Sequence, residues 1–168
     1  LLMNKSQMYT ALQPPSPTPQ SELCSCDVSA PVKLMTTLGY NPIHCGNCNL
    51  EVPLERLNLT EDVVEVLAQW RSLYEAVYRL WLDSEDYEQW ACRQLSDIHS
   101  RINVLGLDAR GVLNTIQRCY YWYFQDEAAA DYTPFISCPV CGHDLQEFRG
   151  SLFNQRVCET CGIIGAGE

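Results

Sequence analysis

Two short stretches in the last third of the chain share one pattern, Cys138-Pro-Val-Cys141-Gly and Cys158-Glu-Thr-Cys161-Gly. Sixteen residues separate Cys141 from Cys158, so the whole reads C-x2-C-x16-C-x2-C, the spacing of a zinc ribbon. Zinc takes four ligands at tetrahedral corners, with metal–sulfur bonds of ~2.3 Å. Two residues between sulfurs leave a turn tight enough to aim both at one ion. The residue after the second cysteine must carry the backbone around the metal, which favours positive φ, and Gly142 and Gly162 accept that without a Cβ clash. Arg149-Gly150-Ser151 supplies a break at which a hairpin returns the second pair to the first. The competing chemistries are disulfides, a thioredoxin-type redox pair and an iron site. The redox motif needs a single CxxC between a strand and a helix, whereas here there are two, each followed by Gly. Iron also accepts four thiolates; the compact loop and the lack of other redox signals favour zinc.

A second set lies upstream. Cys24-Ser-Cys26 precedes Cys45-Gly-Asn-Cys48, with eighteen residues between Cys26 and Cys45. The return spacing again suits a hairpin, and Asn49 stands where the ribbon has Gly; Asn is the next best residue at positive φ. The reading is a second four-cysteine zinc site at Cys24, Cys26, Cys45 and Cys48. The alternative leaves Cys24 and Cys26 as tail residues beside a structured Cys45 and Cys48. His44 and His143 adjoin cysteines and are expected to point away from the metal. His99 has no metal-spaced partner. Cys92 and Cys119, alone among apolar neighbours, read as small core residues.

Four cysteines leave no open position for water, which a catalytic zinc keeps. There is no HExxH helix, no H-x-E ahead of P-C-x-x-C and no Gly-rich phosphate loop, and the chain has only three His. The sequence therefore points to a binding protein rather than an enzyme.

The elements that must position these sulfurs follow from pattern. Val32, Leu34 and Thr36 alternate with Lys33, Met35 and Thr37, as suits a short strand. Thr60 is an N-cap for a long helix, and Val63, Leu67, Trp70, Tyr74, Val77 and Trp81 recur on one face of it. Glu61, Glu65, Arg71, Glu75 and Arg79 fall largely outside that stripe. A shorter helix is expected from Ser84 or Glu85 through Trp90 and Leu95, and a third from about Leu105 to Ile116, weakened by Gly106 and Gly111. Cys119 to Gln125, "CYYWYFQ", reads as a strand. The fold class is α+β, a central helical region flanked by two small cysteine-held β modules. Its parts are a Pro-rich tail or linker (1–22), an N-terminal zinc-knuckle β module (23–58), the helical region (59–118), and the aromatic strand with the C-terminal ribbon (119–168).

At 168 residues and 46% apolar content the chain can bury a core. No stretch approaches the ~20 apolar residues of a membrane span. No secretory signal is visible and the first residue is Leu, as in a fragment or processed product. Ten cysteines without such a signal imply reducing cytoplasm, where they hold metal. The formal net charge is −10, and residues 60–100 carry nine acids against three Arg. Asp83, Glu85, Asp86 and Glu88 concentrate that charge at a helix junction. Acidic surfaces attract basic proteins and repel nucleic acid. A basic protein partner is thus the first expectation, with an inhibitor or immunity-type protein as one version. Nucleic-acid binding through Tyr120 to Phe124 is the alternative, disfavoured because no segment is basic.

"LMTTLGYNPIHCGNCNLEVPLERL", "QLSDIHSRINVLGLDARGVL", "CYYWYFQ" and the terminal CPVCG…CETCG together resemble an uncharacterised bacterial family. That family is described as zinc-ribbon-containing, with a nucleic-acid-binding role inferred from the ribbon. In it a TT-containing strand leads to P-x-x-C-G-x-C and then V-P-L-x-R. The resemblance covers roughly residues 24 to 165. It implies metal binding, and it implies a further N-terminal region of several tens of residues in other members.

Overall fold

The computed structural model describes residues 5–167. Four helices, α1 (Lys5–Tyr9), α2 (Glu61–Asp83), α3 (Glu88–Ser96) and α4 (Arg101–Leu113), accompany six strands. The strands are β1 (Val32–Leu34), β2 (Ile43–Cys45), β3 (Cys119–Trp122), β4 (Gln146–Glu147), β5 (Gln155–Cys158) and β6 (Ile163–Ala166). All six strands form one mixed sheet in the order β2-β1-β3-β6-β5-β4. The fold is α+β, and the cysteine-held hairpins on either side of the helices in sequence are neighbours in space. The aromatic strand β3 joins them, running parallel to both β1 and β6. The other pairings are antiparallel.

The helices cover one face of this sheet. In α2 the expected stripe is buried from Val63 to Val77, and Trp70 meets Tyr121 of β3 edge to face at 5.8 Å. Tyr121 donates from its hydroxyl to Asn103 Oδ1 of α4 at 2.8 Å. Asn103 Nδ2 in turn donates to the carbonyls of Leu95 and Asp97, both at 2.8 Å, which closes the carboxyl end of α3. Gly106 lets α4 lie against β3. A Cβ there would stand 2.4 Å from the buried Tyr121 ring. The glycine that weakens the helix in isolation is what the packing requires.

Four expectations shift. The third helix begins earlier, at Arg101, because Ser100 caps it by accepting from Asn103 N. Strand β3 ends at Trp122 rather than Gln125. Arg71, read as lying outside the apolar stripe, is buried; its Nε donates to Glu75 Oε1 at 2.6 Å and its Nη1 to the Gln13 carbonyl at 3.3 Å. The second of these contacts reaches the N-terminal segment. Tyr9 and Leu12 are buried in the main core, so the stretch expected to be a tail or linker is fastened at its start.

Lys33 alternates with Val32 and Leu34 along β1, yet it too is buried, 0% exposed. On the same side the β4–β5 hairpin curls over the second face of the sheet. Phe148 packs on Tyr120 with ring centroids 5.4 Å apart, and Leu152 N donates to the Asn47 carbonyl at 2.8 Å. Beneath it Tyr120, Phe148, Val157 and Ile164 form a second small core. Lys33 Nζ lies 4.5 Å from the Trp122 ring centroid with no hydrogen-bond partner.

The two glycines of α4 give opposite expectations. Gly111 has open space where a Cβ would go, so Gly111→Ala is expected to stabilise by about 0.5–1 kcal/mol through helix propensity. Gly106→Ala is expected to destabilise by about 1–3 kcal/mol, because the Tyr121 ring is held and cannot yield. Denaturant midpoints of the two variants measure both signs.

Candidate metal centres

Each four-cysteine set of the sequence comes together. The sulfurs of Cys24, Cys26, Cys45 and Cys48 all lie within 4.8 Å of one another, and so do those of Cys138, Cys141, Cys158 and Cys161. All ten cysteines are free thiols. Cys141 Sγ and Cys158 Sγ are 3.7 Å apart. That is far beyond an S–S bond of ~2.0 Å and close to the ~3.8 Å edge of a sulfur tetrahedron built on ~2.3 Å metal bonds.

Three of the four cysteine turns close alike. The N–H of the residue after the second cysteine donates to the carbonyl of the first: Gly142 N to Cys138 O at 2.8 Å, Gly162 N to Cys158 O at 2.8 Å, and Asn49 N to Cys45 O at 3.0 Å. All three residues have positive φ, +73°, +66° and +64°. Asn49 therefore does the work of a glycine, as its position in the sequence implies.

The Cys24-Ser-Cys26 turn is different and is held from outside. Cys24 N donates to the Glu51 carbonyl at 2.8 Å, which ties the segment beside the end of β2. Arg56 Nη1 donates to the Cys24 carbonyl at 3.2 Å and to Cys24 Sγ at 3.6 Å, and its Nη2 donates to the Asp27 carbonyl at 3.3 Å. Sequence reasoning missed Arg56 because nothing in its spacing links it to cysteines some thirty residues away. The V-P-L-x-R run that ends on it was the available signal.

The sulfurs do not share charge evenly. Burial pushes the Cys48 thiol well up, and the neighbouring Cys24 and Cys26 push it further. Burial also raises Cys24, but the Cys26 N–H, the Cys45 and Cys48 sulfurs and Arg56 together bring it below the usual thiol value. In the other cluster Cys161 is pushed well up, chiefly by burial. Cys141 is lowered to about 6, first by the His143 N–H aimed at its sulfur. Each set thus contains one sulfur that ionises readily and one that resists. Four thiolates in so small a volume need a cation to coexist, and this donor set suits a thiophilic ion such as zinc. Lys33 responds to the same charge. Burial lowers its pKa to about 8, while the sulfurs of Cys45 and Cys48 pull it back up.

Both clusters sit at one end of the sheet. Cys45 pairs with Val32 at the start of β1, and Cys158 with Ile163 at the start of β6. Because β1, β3 and β6 are parallel, both sets gather at the amino end of the three strands. The remaining candidates lie outside the clusters. Cys119 is fully buried, its thiol pushed up to about 12 by that burial, and Cys92 is half-buried. His44 is buried with Nδ1 3.1 Å from the Asn49 carbonyl, while His99 and His143 are exposed.

Fold and sites define an α+β protein with two four-cysteine clusters able to hold metal ions. A family model for DUF2310, a domain of unknown function, matches residues 31–125, more than half of the chain, and the chain belongs to that family. The matched span runs from β1 through the helices to just beyond β3. It includes Cys45 and Cys48 and leaves Cys24, Cys26 and the C-terminal cluster outside. No curated protein and no solved structure matches the chain.

Elemental analysis of the purified protein is expected to give two metal equivalents per chain. Cys45→Ser and Cys158→Ser should each remove one. Asn49→Gly should keep both, whereas Asn49→Val, strained at positive φ, should lose the ion nearer the N-terminus and retain the other. Two equivalents in the valine variant would show that the turn at Asn49 does not govern metal retention.

Proposed function

We propose that the protein is a non-catalytic recognition protein, with zinc filling both clusters as structural ions, that binds a basic protein through the elbow between α2 and α3. The carrying observation is the surface of that elbow. Leu82, Tyr87 and Trp90 are 48%, 60% and 43% exposed, and Asp83, Glu85 and Asp86 stand among them, also exposed. Glu85 holds a φ of +54°, and its N–H donates to Glu88 Oε1 at 3.3 Å, so Glu88 is spent on the turn while its three acidic neighbours face outward. Tyr and Trp are the side chains that most often anchor protein interfaces, and the acidic surround favours a cationic partner. An inhibitor or immunity-type protein covering the basic groove of a nuclease or similar toxin is one form of this reading. Metal-bound thiols fit a reducing compartment such as the cytoplasm. No described helix is long and apolar enough to cross a membrane.

The aromatic strand argues against the nucleic-acid alternative. Tyr120, Tyr121 and Phe124 are buried, so they do not present stacking faces. The acids of a chain at −10 would also repel phosphate.

Affinity capture with the wild type, with a Tyr87→Ala/Trp90→Ala variant and with an Asp83→Asn/Glu85→Gln/Asp86→Asn variant tests the proposal. A basic protein retained by the wild type and lost, by about tenfold or more, from both variants is expected. Equal recovery from all three would sink it. So would sub-micromolar binding of DNA or RNA at about 0.15 M salt.

A further inference from the structure

A pocket of about 790 Å³ lies between the two cysteine-held hairpins, but its Arg118 is already paired with Glu159. A smaller pocket, about 280 Å³, opens at the opposite end of the sheet from the clusters. Its rim is made by Met35–Thr37, which leave the carboxyl end of β1, and by Gln125–Ala128, which follow β3. β1 and β3 are parallel neighbours. In open α/β sheets the crevice beyond the carboxyl ends of parallel strands is where ligands are received, and this pocket has the same placement relative to β1 and β3.

Tyr78 and Trp81 of α2, each half-buried, line it, with the buried Tyr74 and Phe124 packed against them. The Phe124 ring stands at 89° to Tyr78, 6.3 Å away, and at 81° to Trp81, 5.0 Å away. Tyr78 and Trp81 are 5.1 Å apart at 53°. The planes therefore turn in different directions around one corner instead of lying in a single stack. Aromatic faces carry partial negative charge, and a cation within ~6 Å of several ring centroids is attracted by each.

The polar part of the lining has the matching sign. No Lys or Arg lines the pocket, whereas Glu127 does. Thr36, another lining residue, donates to Glu75 Oε1 at 3.1 Å, but that carboxylate is already paired with Arg71, so Glu127 carries the negative charge of the lining. Trp122 also lines the pocket, but it packs with the second small core and its ring is already met by Lys33 Nζ at 4.5 Å, so the α2 rings are the ones left for a ligand. A plain ammonium is strongly hydrated and exchanges water for rings at a cost. A methylated ammonium is the form that aromatic cages recognise. The volume is at the small end for ligand sites, the scale of a head group rather than a whole nucleotide.

We propose that this pocket binds a methylated ammonium group, either the head of a small quaternary amine or a methylated lysine side chain of a protein. The assignment is independent of the elbow and does not require it.

The test uses the full chain in its metal-loaded form. Tryptophan fluorescence and calorimetry would follow titration with choline, with 3,3-dimethylbutan-1-ol as its uncharged isostere, and with a short peptide carrying trimethyl-lysine or unmodified lysine. Choline or the trimethyl-lysine peptide is expected to bind about tenfold or more tightly than the uncharged or unmethylated control. Tighter binding of choline assigns the site to a small amine, and tighter binding of the peptide assigns it to a protein side chain. Trp81→Ala should abolish the binding. Glu127→Gln, at an exposed position where the fold is not at risk, should weaken it several-fold while leaving metal content unchanged. Equal affinity for choline and its uncharged isostere would overturn the proposal. So would unchanged binding in both variants, or no binding of any methylated probe at about 10 mM.

Discussion

Everything in this molecule depends on drawing four sulfurs to a point, twice, at the same end of one sheet. Thiolates so close repel, and burial first, then the neighbouring sulfurs, hold the Cys161 thiol up while the His143 N–H draws Cys141 down. A divalent ion removes the conflict and fastens the chain where it binds. The strands need the help. β1 and β2 have three residues each and β3 has four, lengths at which ladder hydrogen bonds alone hold little. Clamping β1 and β2 at one cluster and β5 and β6 at the other leaves β3 to be received between two prepared edges. Packing of Tyr121 under Trp70 and α4 then completes the core.

What could be read from the sequence is what short spacing encodes. Cysteines two residues apart, a Gly or Asn directly after them, and a stripe repeating every three or four residues are local facts. They specify the turns at Cys45, Cys138 and Cys158 and the buried face of α2. The family resemblance pointed to an uncharacterised family, and that is what the chain belongs to. What stayed hidden is set by contacts far apart in the chain. The burial of Lys33 goes with Trp122, a ring nearly ninety residues away. The role of Arg56 depends on where Cys24 is brought. Gly106 looked like a weakness of α4 because its benefit lies in Tyr121, on another element. Arg71 was assigned to the polar side for the same reason: its partners are Glu75 and a carbonyl of the N-terminal segment.

On the proposed reading, the architecture separates fastening from recognition. The amino ends of β1, β3 and β6 carry two four-cysteine clusters able to hold metal ions. The features that face outward lie elsewhere. One is the acidic, aromatic elbow beyond α2, and the other is the ring-walled pocket at the carboxyl ends of β1 and β3. Helix α2 connects them, since Tyr78 and Trp81 face the pocket while Leu82 and Asp83 open the elbow. A rigid helix with a different surface at successive turns can present two contacts in fixed register.

Strand β1 lies between β2, which follows it closely, and β3, which begins at Cys119. During synthesis the first hairpin can close as soon as Cys48 leaves the ribosome, but the other edge of Val32–Leu34 must wait for more than seventy further residues. Such late pairing is slow, and an open strand edge is a template for foreign chains. The early cysteine turn therefore has a task in the nascent chain, pinning that edge in a short and stiff form until its true neighbour arrives.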